Sequence, residues 1–170
     1  MKTREIAETG LLIALALVLS YVESLVPAFV AIPGIKVGLA NIVVVYALYR
    51  LGFKHAILIS ILRVLLSALL FGTVLTLAYS AAGAVLSLVG MALLKKTGLF
   101  GTTAVSVSGA VLHNLGQITV AVFILETDAL LYYLPFLILS GVVTGIVIGV
   151  ISSTIIKRVS SGQEDDNASD

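Results

Sequence analysis

The stretch HAILISILRVLLSALLFGTVLTLAYSAAGAVLSLVGMALL, from His55 to Leu94, decides the fold. Arg63 is its only formally charged residue. Drawn as one helix it would run roughly 60 Å at ~1.5 Å per residue, about twice a hydrocarbon core of ~30 Å. It therefore has to fold back, and Phe71-Gly72-Thr73 is the place to turn. The two halves, His55–Phe71 and Val74–Leu94, read as a helical hairpin in lipid.

Outward from this hairpin the same pattern repeats. Apolar segments run over Ile6–Val26, Val37–Tyr49, Thr102–Leu125 and Leu130–Ile156, set apart by charges, prolines and glycines. The reading is an all-α integral membrane protein of six transmembrane helices. Val37–Tyr49 is short against the ~20 residues that a crossing needs. Residues 1–159 form one transmembrane domain, and the polar stretch 160–170, rich in Glu and Asp, is expected to be a disordered cytoplasmic tail. The apolar run after Arg4 is about twenty residues long, with no small-residue cleavage site before Pro27. A retained first span is expected rather than a signal peptide.

Composition agrees. The chain is 59% hydrophobic and 11% charged, which leaves too little charge to cover a water-soluble fold. A net charge of +1 gives no pull toward nucleic acid. The absence of cysteine excludes disulfides and thiol chemistry.

Basic residues set the orientation. With the N-terminus inside, Lys2, Arg4, Arg50, Lys54, Lys95, Lys96, Lys157 and Arg158 are cytoplasmic, and only Lys36 is outside. That asymmetry predicts both termini in the cytoplasm of a multi-pass plasma-membrane protein. Tyr21, Tyr132 and Tyr133 fall at the outer interface, and Tyr46 and Tyr49 at the inner one, as aromatic belts do. The outer segment Pro27–Gly34 is apolar but broken by two prolines and a glycine. Irregular backbone at membrane depth needs burial in protein or a cavity to line, so this loop is expected to roof the outer mouth.

Within this frame a few polar residues carry the functional signal. Arg63 lies in mid-span, where a guanidinium is costly and does not escape by losing its proton. Two roles are open to it: facing a ligand in a cavity, or a fixed pairing with Glu23. In the fifth span Ser106, His113 and Gln117 share a face at 100° per residue, with Asn114 beside it. That stripe is too polar for lipid, so it lines a pocket or glues helices together. Asn41 lies in the outer part of the second span. The set describes an outward pocket suited to an anionic or hydrogen-bonding molecule, with Arg63, His113, Asn114, Gln117 and Asn41 as candidate binding residues.

Small residues mark the close contacts. Gly10 and Ala14 are spaced for close helix approach, as are Gly141, Gly145 and Gly149. Internal packing and partner docking are both open for each motif. No phosphate-binding loop and no zinc-type cluster is present, so no cofactor or metal is expected.

Lys36-Val37-Gly38-Leu39-Ala40-Asn41, with Gly109-Ala110-Val111-Leu112-His113-Asn114-Leu115-Gly116-Gln117, resembles a bacterial membrane family. Its members are described as Gx transporters or as component I of heptaprenyl diphosphate synthase. That family is in turn similar to the S components of energy-coupling-factor (ECF) transporters. The likeness implies a six-helix bundle that captures a vitamin-like molecule from outside and works with a transmembrane T component and two ATPase subunits. It also implies that Ala7, Gly10 and Ala14 form the face toward the T component. The synthase description fits poorly with catalysis by this chain, since prenyl transfer uses acidic clusters to hold Mg²⁺ and the spans contain no aspartate. The main expectation is therefore a non-enzymatic substrate-binding subunit of an uptake transporter. The alternative is a non-catalytic membrane subunit that assists polyprenyl diphosphate or quinone biosynthesis beside a polyprenyl synthase subunit.

Overall fold

The computed structural model describes residues 3–25 and 38–168. Among them are six α-helices and no strand: α1 Thr3–Leu25, α2 Asn41–Arg50, α3 Phe53–Phe71, α4 Val74–Thr97, α5 Thr102–Leu125 and α6 Leu134–Ala168. A 3₁₀ turn, Asp128–Tyr133, leads into α6. The Pro27–Gly34 loop and Lys36 lie outside the described residues.

All the helices but α2 are long and apolar enough to cross a bilayer. Their outer faces carry large apolar side chains in the open, with Leu11 71%, Leu69 79%, Val74 86% and Phe123 79% exposed. Apolar exposure on this scale marks a lipid-facing surface, and the chain is a multi-pass membrane protein.

The hairpin turns where the sequence places it. α3 stops at Phe71, and the Thr73 hydroxyl accepts from the Thr76 amide while the Thr73 amide donates to the Thr76 hydroxyl. This reciprocal cap satisfies two donors that the first turn of α4 leaves open. α4 ends after Lys95 and Lys96 at Gly98, whose φ of 69° is a left-handed cap that glycine adopts without strain.

α2 departs from the expected span. Its 10 residues rise only ~15 Å, about half a hydrocarbon core. It begins at the depth of Arg63, since Asn41 and Arg63 line one small chamber. It ends near α4, where Lys95 Nζ donates to the Leu48 carbonyl at 2.6 Å. Val43, Val44, Val45, Ala47 and Leu48 are all buried, and Leu12, Ala16, Ile59, Met91 and Ile148 pack around them. This helix is the centre of the core in its half of the bundle.

At the other terminus α6 runs on through Ala168, beyond Ser160, where the sequence reading starts an irregular tail. No proline follows Pro135, so nothing removes a donor from the ladder of hydrogen bonds.

The most extensive packing joins α5 to α6 and α4 to α5. Glycines make it possible. A Cβ built on Gly145 would stand 2.5 Å from Val107 Cα, and one on Gly149 2.6 Å from Thr103 Cα. The Gly141 series thus serves internal contact with α5. Gly116 lies as closely against α4, where its Cβ would meet the Ala82 carbonyl at 2.8 Å. Gly10 differs. Its Cβ would meet nothing within 4 Å, and Ala7 and Ala14 beside it are exposed.

Candidate functional site

Arg63 projects from the middle of α3 toward the ends of α1 and α4. Glu23, in the last turns of α1, is near enough to act on it electrostatically. The Gly38 backbone amide donates to the same Glu23 carboxylate, at a φ of 75° that suits glycine. One acidic side chain therefore ties the end of α1 to the approach to α2 and faces the guanidinium.

Next to this pair is a chamber of about 150 Å³, walled by Glu23, Arg63, Ser67, Thr76, Ser80 and His113. Its walls are about as polar as they are apolar, which is unusual inside a membrane bundle. Within the described residues, Arg63 Nε and Ser67 Oγ are buried and lack a hydrogen-bond partner. Each such group costs ~1–3 kcal/mol unless a ligand or water satisfies it. The volume is small against the ~300–1,000 Å³ that drug-sized ligands occupy. It has room for a compact group rather than for a whole drug-sized molecule.

A smaller chamber of about 40 Å³ adjoins it and brings Arg63, His113, Asn114 and Asn41 together with Glu23 and Thr144. Four of the five residues singled out from sequence therefore share one enclosure. Gln117 lines a different cavity of about 260 Å³, with Tyr79, Ile118 and Tyr133. Asn114 lies on the boundary and lines both. The amide of Asn114 is committed to the Leu137 carbonyl of α6 at 2.7 Å, so it also acts as helix glue.

The polar stripe of α5 does not face one way. Ser106 is buried where Gly149 approaches, toward α6, whereas His113 and Gln117 stand against Gly83 of α4. A Cβ on Gly83 would come within 2.7 Å of the His113 carbonyl and 2.9 Å of Gln117 Cγ. That glycine sets how deeply both side chains enter. Ser67 and Ser80 escaped the sequence reading, although a signal was there. Ser67 is one turn from Arg63, and Ser80 one turn from Thr76, each pair on one face.

The family model for heptaprenyl diphosphate synthase component I matches residues 12–155. The chain belongs to that family. The match covers α2 to α5 whole, most of α1 and the part of α6 up to Ile155, so the chambers lie inside it. No curated protein and no solved structure matches. The wider likeness to S components has no support among these comparisons.

Proposed function

We propose that this chain is the non-catalytic, membrane-embedded component of a polyprenyl diphosphate synthase in the bacterial plasma membrane, and that its polar chamber holds a compact anionic group against Arg63. The family description supports the first part. The second is carried by a buried guanidinium with an unsatisfied Nε facing a half-polar chamber of about 150 Å³. In this reading the prenyl transfer itself belongs to a partner subunit with carboxylates for Mg²⁺, because the spans of this chain supply no aspartate.

Co-purification tests it. A tagged chain, extracted in mild detergent, is expected to bring down the catalytic polyprenyl diphosphate synthase subunit of the same cell in a fixed ratio. Elution of that subunit without the tagged chain, at every detergent tried, would reject the reading.

A second reading is kept because of where the chamber lies. Glu23, Gly72 and Thr76 border it at the end of the bundle away from Lys95 and Lys96, the end that the positive-inside reading takes as the outer one. A chamber near the outer face suits capture of a small molecule for uptake, with an ECF-type T component and ATPase subunits as partners. Arg63, His113, Asn114, Gln117 and Asn41 would then bind the captured molecule, which would need the two larger cavities joined into one. Ala7, Gly10 and Ala14 would meet the T component. ATPase subunits in the same pull-down would favour this reading over the first.

A further inference from the structure

The cavity of about 260 Å³ that Gln117 lines lies between α4, α5 and the 3₁₀ turn that leads into α6. Along α5 its wall follows Asn114, Gln117, Ile118, Ala121 and Leu125, at steps of three and four residues that keep to one helical face. That wall is roughly 16 Å long at ~1.5 Å per residue. Tyr79 and Ser80 of α4 face it, and Tyr133 and Leu137 close the third side. Among the described residues no formally charged side chain lines the cavity.

Carbon covers most of these walls, and the exceptions are informative. Asn114 spends a donor on the Leu137 carbonyl. Gln117 is different: it is only 9% exposed, yet its side-chain amide makes no hydrogen bond among the described residues. It has little room to turn away, because a Cβ on Gly83 would stand 2.9 Å from its Cγ. The Tyr79 hydroxyl, in the facing wall, is buried and also lacks a partner. Folded proteins rarely leave buried polar groups unanswered. A lipid chain would fill the space and answer neither group.

We infer that this pocket binds a small uncharged heterocycle whose neighbouring N–H and C=O groups pair with the side-chain amide of Gln117. Arg63 does not line it, so the site is separate from the Arg63 chamber and holds under either reading of the chain's function. A primary carboxamide presents a donor and an acceptor side by side. Its complement is a ring edge that carries an acceptor and a donor next to each other. A charged ligand would find no counter-ion among these walls and would be costly to bury. The volume equals that of roughly nine waters at ~30 Å³ each, which suits one ring or two fused rings. Tyr79 and Tyr133 supply aromatic surface for such rings to lie against.

The test uses the full chain in phosphatidylcholine nanodiscs and a fluorinated quinolinone, an uncharged two-ring lactam. Binding is followed by fluorine NMR, with empty nanodiscs as the blank, and a signal above the blank is expected. The N-methyl derivative keeps the rings and loses the donor, and should bind roughly tenfold more weakly. Gln117→Leu should weaken quinolinone binding by roughly tenfold or more. It should leave the melting temperature of the ligand-free protein unchanged or higher, since it removes an unanswered amide. A lower melting temperature would make Gln117 helix glue and overturn the proposal. Ala121→Phe, which fills the pocket from the half-buried middle of its α5 wall, should abolish binding. Equal affinity for the N-methyl derivative, binding that survives Gln117→Leu, or no signal above the blank would also overturn it. So would displacement by inorganic diphosphate, because the probe would then sit in the Arg63 chamber.

Discussion

The side-chain amide of Asn114 donates to the backbone carbonyl of Leu137 across 2.7 Å, and both residues are buried. Gly141 leaves room for that bond, since a Cβ there would stand 3.2 Å from Asn114 Nδ2. Asn114→Leu should therefore lower stability by ~1–3 kcal/mol, the cost of a buried polar group left without its partner. Thermal unfolding in detergent measures it. An unchanged melting temperature would remove Asn114 from the helix contact and return it wholly to the chamber.

Arg63 has two possible uses, and they separate cleanly. As the anion-holding group, Arg63→Ala should abolish the stabilisation that inorganic diphosphate gives, a loss of ~2–5 kcal/mol in binding. Arg63→Lys should restore little, because an ammonium lacks the planar fork of a guanidinium. As a fixed partner of Glu23, Arg63→Ala would instead destabilise the protein without ligand, by ~3–5 kcal/mol. Arg63→Ala combined with Glu23→Gln would then recover most of that. We expect the first pattern, and recovery by the double variant would refute it.

Glycines offer a paired comparison. Gly145→Ala puts a methyl 2.5 Å from Val107 Cα and forces α5 and α6 apart, at a cost of ~1–3 kcal/mol. Gly10→Ala meets open space and should stabilise α1 by ~0.4–1 kcal/mol. Melting temperatures moving in opposite directions would confirm the contrast. Equal destabilisation would mean that the Gly10 face is covered.

Orientation is open to labelling. Single cysteines at 54, 95 and 126 should react with an impermeant maleimide from outside only at 126. Outside reaction at 95 would invert the topology and put the Glu23 end of the chamber inside.

The spans were legible because lipid imposes a strict rule. A run of ~20 apolar residues has few other fates, and Gly72-Thr73 was the break available inside the longest run. Arg63 was legible for the same reason, as a charge that lipid does not tolerate unless something answers it. α2 was harder. Its apolar run looks like a short span, whereas Gly38 at a positive φ starts the helix late and half-way down. The direction of the α5 stripe was beyond periodicity. Helical spacing puts Ser106, His113 and Gln117 on one face, but the face is broad enough to touch both α4 and α6.

The glycine contacts among α4, α5 and α6 give the molecule a mechanical asymmetry. Where backbones touch, no rotamers stand between the helices to rearrange, so those three move as a single plate. α3 leans on the plate through α4, and α1 packs on α3 and α2, by ordinary side chains that slide past one another at lower cost. A molecule seated against Arg63 and Glu23 therefore strains the compliant leaf rather than the plate. Because Glu23 and Gly10 belong to the same rigid rod, a tilt begun at one end of α1 is delivered at the other, where its surface lies bare.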